Sequence, residues 1–171
     1  FIRLTAGAFA MGADDGPYPQ DGEGPVRQVT LDAYSLAPIT VTNAQFSHFV
    51  DATGYLTLAE REGASFVFHL LMPHHTAPHS VAAQATWWHR IEGACWRWPE
   101  GPKAPDITDR LDHPVVHIAQ TDARAYCHWS GTRLPTEAEW EKAARGGLTS
   151  KPFPWGDTLE QDGKHHSNVW Q

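Results

Sequence analysis

Glycine and proline punctuate this sequence too densely for long regular elements. There are 14 glycines and 13 prolines in 171 residues, together about 16 %, against roughly 12 % in an average protein. Proline removes a backbone donor and fixes φ, and glycine admits the left-handed turns that other residues resist. A bundle of long helices is therefore excluded. Disorder is excluded too, because 41 % of residues are apolar and eight are tryptophan. Large rings fill a core while Pro and Gly pin the turns around it, which predicts a folded, loop-rich domain.

Charge narrows the partners. The 13 Lys and Arg residues never cluster, and the formal net charge is -7. That is not the footprint of a nucleic-acid binder. No apolar run reaches ~18 residues, so no membrane-spanning helix is expected. Cysteine is sparse. Cys95 and Cys127, 32 residues apart, match no local redox or zinc motif and are expected to be buried thiols. With no charged leader before an apolar run, a bacterial cytoplasmic location is the expectation.

Local patterns place the elements. Residues 1–11 read as a hairpin turning at Ala6-Gly7. Residues 12–25 form an acidic Gly/Pro loop. Its Asp14, Asp15, Asp21 and Glu23 could attract Ca²⁺, but their spacing is not that of an EF-hand, and a solvated turn is the expectation. Val26–Tyr34 reads as a strand. Thr42 with Gln45 makes a capping box that opens a helix to Gly54, with Val41 and Phe46 as hydrophobic staple and Phe46, Phe49 and Val50 as buried face. Ser65–Leu71 reads as a buried extended segment, 72–80 as a loop, and Asp112–Ala119 as a strand. Thr121 or Asp122 can cap a helix over Ala123–Trp129. Thr136 with Glu139 caps a last helix, with Trp140, Ala143 and Ala144 inward and Glu137, Glu139 and Glu141 on a solvated face. The tail from Ser150 shows no periodicity, and no linker divides the chain into two domains.

Candidate chemistry is thin at this level. His113 and His117 share a face of the expected strand but would lie roughly 13 Å apart, too far for one metal. Hydrogen-bonded structural histidines are the expectation there. His74, His75 and His79 lie together in a loop without a carboxylate or Cys to complete a metal site. No phosphate loop, nucleophile elbow or dinucleotide fingerprint occurs.

The order of several longer segments goes further. Gly7-Ala-Phe-Ala-Met-Gly12, SFVF at 65–68, GACWR at 93–97, DHPVVH at 112–117, RLPTEAEWE at 133–141 and NVWQ at 168–171 follow one another along nearly the whole chain. This series closely resembles the formylglycine-generating enzymes, or sulfatase-modifying factors. RLPTEAEWE also occurs in relatives with other activities, but SFVF, GACWR and DHPVVH together are much narrower. The resemblance implies a loop-rich α+β fold related to C-type lectins, with residues 1–171 as the N-terminal part of a single, incomplete domain. It implies an oxygen-dependent oxidase that converts the cysteine of a Cys-x-Pro-x-Arg sulfatase segment to Cα-formylglycine. It also implies copper held by two cysteines, a preference that suits thiolates and Cu(I), and structural calcium.

The family's cysteine pair is expected downstream of Gln171. Neither Cys95 nor Cys127 matches it, so no residue here takes a catalytic role and the chain alone is expected to be inactive. Cys127 falls where some members have a cysteine paired further along. By the same resemblance, Ala59, Ala64 and Trp96 lie near the groove for the unfolded sulfatase peptide. Asn168 and the Val169 carbonyl begin a calcium site, oxygen being the right donor for that ion. Ala119, Gln120 and Thr132 depart from common family residues. The other readings are a non-catalytic protein-binding paralogue and an iron-dependent enzyme branch of the same fold.

Overall fold

A computed structural model describes residues 1–16, 18–72, 80–82 and 84–167. In chain order the elements are β1 (Ile2–Leu4), β2 (Gly7–Met11), β3 (Arg27–Leu31), β4 (Tyr34–Leu36), α1 (Asn43–Thr53), α2 (Leu58–Glu62), β5 (Ala64–Phe68), β6 (Ser80–Ala82), β7 (Ala85–Glu92), α3 (Gln120–Trp129), α4 (Glu137–Arg145), β8 (Glu160–Gln161) and β9 (Lys164–His165). They gather into two compact units. One combines Phe1–Pro38 with Pro135–Gln171, and the other is Ile39–Leu134.

In the first unit the expected opening hairpin does not form. β1 pairs with β4 and β2 with β3, both antiparallel. A two-residue hairpin turn needs positive φ at its centre. Here positive φ falls on Gly7 (φ 143), already inside β2. The chain therefore bends at Thr5-Ala6 and runs on. In both ladders the paired residue numbers add to 38, so the four strands make one interrupted ribbon in a single register. The ribbon breaks at Thr5-Ala6, opposite Asp32-Ala33. Lys142 of α4 donates to the carbonyls of Thr5 (2.8 Å) and Gly7 (3.1 Å), on either side of that break.

The capping box that opens α4 forms as the sequence indicates. Glu139 accepts from the Thr136 amide (2.8 Å), and the Thr136 hydroxyl accepts from the Glu139 amide (3.2 Å). Ala143 and Ala144 are half-buried and Glu137 is exposed, as expected, but the rest of the helix faces differently. Trp140 is 62 % exposed, and Glu139 is buried. The cap turns the Glu139 carboxylate back into the first turn, and its carbonyl accepts from the Tyr34 hydroxyl at 2.6 Å. Glu141 is not solvated either. It accepts from the Gly12 amide (2.8 Å) and from Arg145 Nε (2.8 Å), and Arg145 Nη2 donates to the Gly12 carbonyl (2.8 Å). In the acidic loop the carboxylates bond backbone. Asp14 takes the Val26 amide (2.7 Å) and Glu23 the Tyr18 amide (3.0 Å). The tail contains a short β8–β9 hairpin whose central Asp162 and Gly163 both have positive φ (52° and 69°), as this turn type requires.

In the second unit α1 carries the staple, both capping-box bonds and a left-handed Gly54, as expected. Phe46 and Phe49 pack with Trp96 and Ile107 into one cluster, bordered by Val41 and Tyr126. The Phe46 and Trp96 rings meet edge to face at 5.3 Å, an arrangement worth roughly 0.5–1.5 kcal/mol beyond burial. β7 is the centre of a three-stranded sheet ordered β5-β7-β6. Val67, Ile91 and Ala94 form a smaller cluster beside it. The extended segment expected over Ser65–Leu71 is a strand only to Phe68 and then a 3₁₀ turn.

Residues 112–119 are not a strand. Pro114 lacks the donor that a ladder needs, and His117 sits in the left-handed region (φ 56). The segment instead crosses the start of α1. Asn43 donates to the His113 carbonyl (2.9 Å), and Val115 donates to the Val41 carbonyl (3.0 Å). α3 starts three residues before Ala123. Its N-cap is Ala119, which has no oxygen to cap with, so Asp122 reaches back alone to accept the Ala119 amide (2.8 Å).

Candidate functional site

A cleft of about 420 Å³ opens within the second unit. Leu58, Ala59 and Glu62 of α2 form one wall. Ala64, Ser65 and Phe66 of β5 with Arg90 of β7 form the base, and His117–Ala119 close the other side. Sheet register sets the base, because Phe66 and Arg90 are directly opposed across the ladder.

α2 is only five residues long, too short to hold itself in water. Local caps and one buried carboxylate hold it. Glu60 accepts from the Thr57 amide (2.8 Å) and hydroxyl (2.7 Å), and Gly63 ends the helix at φ 68. Asp122, fully buried, accepts at Oδ1 from the Tyr55 hydroxyl and the Leu58 amide, both at 3.0 Å, and at Oδ2 from Ala119. One carboxylate thus ties together the start of α2 and the start of α3, on opposite walls of the cleft. Three donors offset the cost of burying it. Burial, then the bond to Asp122, raises the Tyr55 hydroxyl above the ordinary tyrosine range.

His117 lies behind Ser65. Its Nδ1 is 2.8 Å from Ser65 Oγ, and its Nε2 is 2.8 Å from the Pro99 carbonyl oxygen. Burial lowers the imidazole pKa below the usual histidine range, outweighing the opposing pull of the Pro99 carbonyl and of Glu100. The expectation of a hydrogen-bonded histidine holds for His117, although the strand meant to carry it is absent. His113 is exposed.

Ala59 and Ala64 both line the cleft and are nearly buried, at 8 % and 7 % exposure. Trp96 is in the hydrophobic cluster at 0 % exposure, with the Arg97 guanidinium 4.5 Å from its ring centroid and its own Nε1 without a partner. Asn168, Val169, His74, His75 and His79 lie outside the described residues. Cys95 is buried, Cys127 is half-buried, and both are free thiols. Among the described residues no three His, Cys, Asp or Glu side chains converge on a metal position.

Sequence reasoning passed over α2, and took Asp122 only as a possible helix cap, not as a tie across the cleft. The signal for α2 was present, since Thr57-x-x-Glu60 repeats the pattern used at Thr42 and Thr136.

The model of the sulfatase-modifying factor enzyme 1-like domain matches residues 1–171. The chain belongs to this family. It is 49 % identical over 99 % of its length to the mouse formylglycine-generating enzyme, covering 46 % of that protein. It is 44 % identical, again over 99 %, to bovine inactive C-alpha-formylglycine-generating enzyme 2, covering 56 % of it. The chain therefore spans about half the length of the curated relatives it matches. PvdO from Pseudomonas aeruginosa has a similar fold, with a TM-score of 0.57 at 23 % identity over 98 % of this chain and 53 % of that one.

Proposed function

We propose that the full-length protein carrying this chain oxidises the cysteine of a Cys-x-Pro-x-Arg sulfatase segment to Cα-formylglycine, and that the cleft of the second unit holds part of that segment. The observation that carries this reading is the convergence of Ala59 and Ala64, nearly buried, on one cleft beside Ser65. Small side chains leave room for a bulky substrate residue such as proline, and the Phe66 ring adds an apolar wall.

In the reaction the Cβ–S bond breaks and a C=O bond forms, with sulfur leaving as hydrogen sulfide. That is a two-electron oxidation. Dioxygen takes those two electrons and two more from a thiol reductant, and ends as water. Copper would supply the activation of dioxygen, from a cysteine pair we place in the sequence that follows residue 171. Calcium, held in part by Asn168 and the Val169 carbonyl, belongs to the same proposal. The residues of this chain bind and orient. Ala59 and Ala64 accommodate the segment, and Arg90 offers a guanidinium at the cleft base. On this reading the chain by itself does not turn over substrate.

The test incubates full-length protein, loaded with Cu(I), with a Cys-x-Pro-x-Arg peptide, dioxygen and a thiol. Mass spectrometry is expected to find the aldehyde and hydrogen sulfide release. Tight peptide binding without aldehyde would instead support a non-catalytic binding role, since the relatives also include one named inactive, at 44 % identity against 49 % for the mouse enzyme.

A further inference from the structure

We propose that His117 is a positioning residue that turns the lone pairs of the Ser65 hydroxyl into the cleft, making Ser65 the acceptor for a backbone N–H of the bound peptide. This inference rests on the reading of the cleft as a peptide groove, and deepens it.

The argument is a count of protons. The Pro99 carbonyl can only accept, so a His117 Nε2 lying 2.8 Å from it carries a hydrogen. A neutral imidazole has one N–H, which leaves Nδ1 bare. Nδ1 at 2.8 Å from Ser65 Oγ must then accept, and Ser65 must donate. A serine hydroxyl has one hydrogen and two lone pairs. Its hydrogen is committed to His117, so only acceptor capacity is left for the cleft that Ser65 lines. A doubly protonated His117 would reverse this and free the serine hydrogen, but burial disfavours the imidazolium.

The backbone supports a dedicated arrangement. His117 holds φ 56, a conformation that costs a residue with a side chain and persists where the surroundings over-determine it. Here both ring nitrogens are bonded, one to a carbonyl 18 residues back and one to a side chain on β5. Ser65 is equally constrained, because β5 pairs it with Ile91. The charged groups in the cleft are Arg90 and Glu62, and Glu100 acts on His117 from beside Pro99. None of them competes for the Ser65 hydrogen in the structure.

Four proteins test this: wild type, Ser65→Ala, His117→Asn and His117→Ala, all full-length. Asparagine tolerates the left-handed region and its amide oxygen can take the place of Nδ1. The probe is a Cys-x-Pro-x-Arg peptide with its reactive cysteine changed to serine, together with copies N-methylated at one amide each. Wild type and His117→Asn are expected to bind the unmodified peptide alike, and Ser65→Ala and His117→Ala about tenfold more weakly. One N-methylated copy should lose about tenfold on wild type and nothing on Ser65→Ala. Long-range ¹H–¹⁵N spectra should show His117 protonated at Nε2 near neutral pH. A proton on Nδ1 overturns the proposal whatever binds. So does binding by wild type in which no N-methylation separates it from Ser65→Ala. If wild type binds no peptide at all, the groove reading itself falls, and the proposal falls with it.

Discussion

Asp122 offers the sharpest test of how the cleft is held. Replacing it by alanine strands three part-buried donors: the Tyr55 hydroxyl and the amides of Leu58 and Ala119, now at 3.0, 3.0 and 2.8 Å from its oxygens. A fully buried unsatisfied donor costs about 1–3 kcal/mol, and part-burial keeps each of these at the low end. Removing the buried charge returns some of its desolvation penalty, and the Arg61 guanidinium, 4.0 Å away and half exposed, adds little. The expected net loss is about 2–4 kcal/mol. Asp122→Asn is the control. Its oxygen can keep Tyr55 and Leu58, but its amide then faces the Ala119 N–H, so one charge-assisted bond is lost, about 2 kcal/mol. Urea denaturation of the full-length protein measures both, and hydrogen exchange locates the effect. The Leu58 and Ala119 amides should exchange faster in Asp122→Ala than amides in α1. A loss under about 1 kcal/mol, or unchanged protection at 58 and 119, would refute the role given to this carboxylate.

Three further outcomes are expected. Gly12→Ala places a Cβ 2.7 Å from the Glu23 carbonyl oxygen at φ +92, and should lower stability by about 2–3 kcal/mol by denaturant melt. Phe46→Ala empties the middle of the ring cluster and should cost about 3–5 kcal/mol in the same assay. The lowered pKa of His117 means the unfolded chain binds the proton first as pH falls. Its contribution is intact above the unfolded value of about 6.5 and is lost below it, by at most about 1.4 kcal/mol per pH unit, until the folded pKa is passed. The denaturation midpoint of wild type should therefore fall further than that of His117→Asn between pH 7.5 and 5.5; equal falls would contradict the burial assigned to this ring.

Some of this was legible in the residues because it is local. The helix starts at Thr42 and Thr136 follow from a side chain bonding an amide three residues on, which needs nothing from elsewhere in the chain. The end at Gly54 is of the same kind. α2 obeys that rule at Thr57 and Glu60 yet lacks the length that makes a helix visible as a pattern, since a buried aspartate 64 residues away from Leu58 helps to hold its first turn. The last helix shows the reverse failure. Apolar content turned Trp140 inward, whereas the Tyr34 hydroxyl on the Glu139 carbonyl and Glu141 on the Gly12 amide turn residues 139 and 141 to the protein and leave Glu137 exposed. The opening strands were recognisable as strands, but their partners were not, because two strands close in sequence pair with each other only if the residues between them can turn.

The density of glycine and proline, the aromatic content and the short caps by themselves determined a loop-rich α+β chain with brief helices. These are properties of single residues and their near neighbours, and they act before any tertiary contact exists. Only the tertiary structure decided which carbonyl His117 faces, which walls Asp122 joins, and that His117 meets Ser65 at the cleft. Those outcomes depend on pairs of groups brought together from 18 to 67 residues apart. Hydrogen bonds are short-ranged and directional, so sequence spacing alone cannot say which donor meets which acceptor.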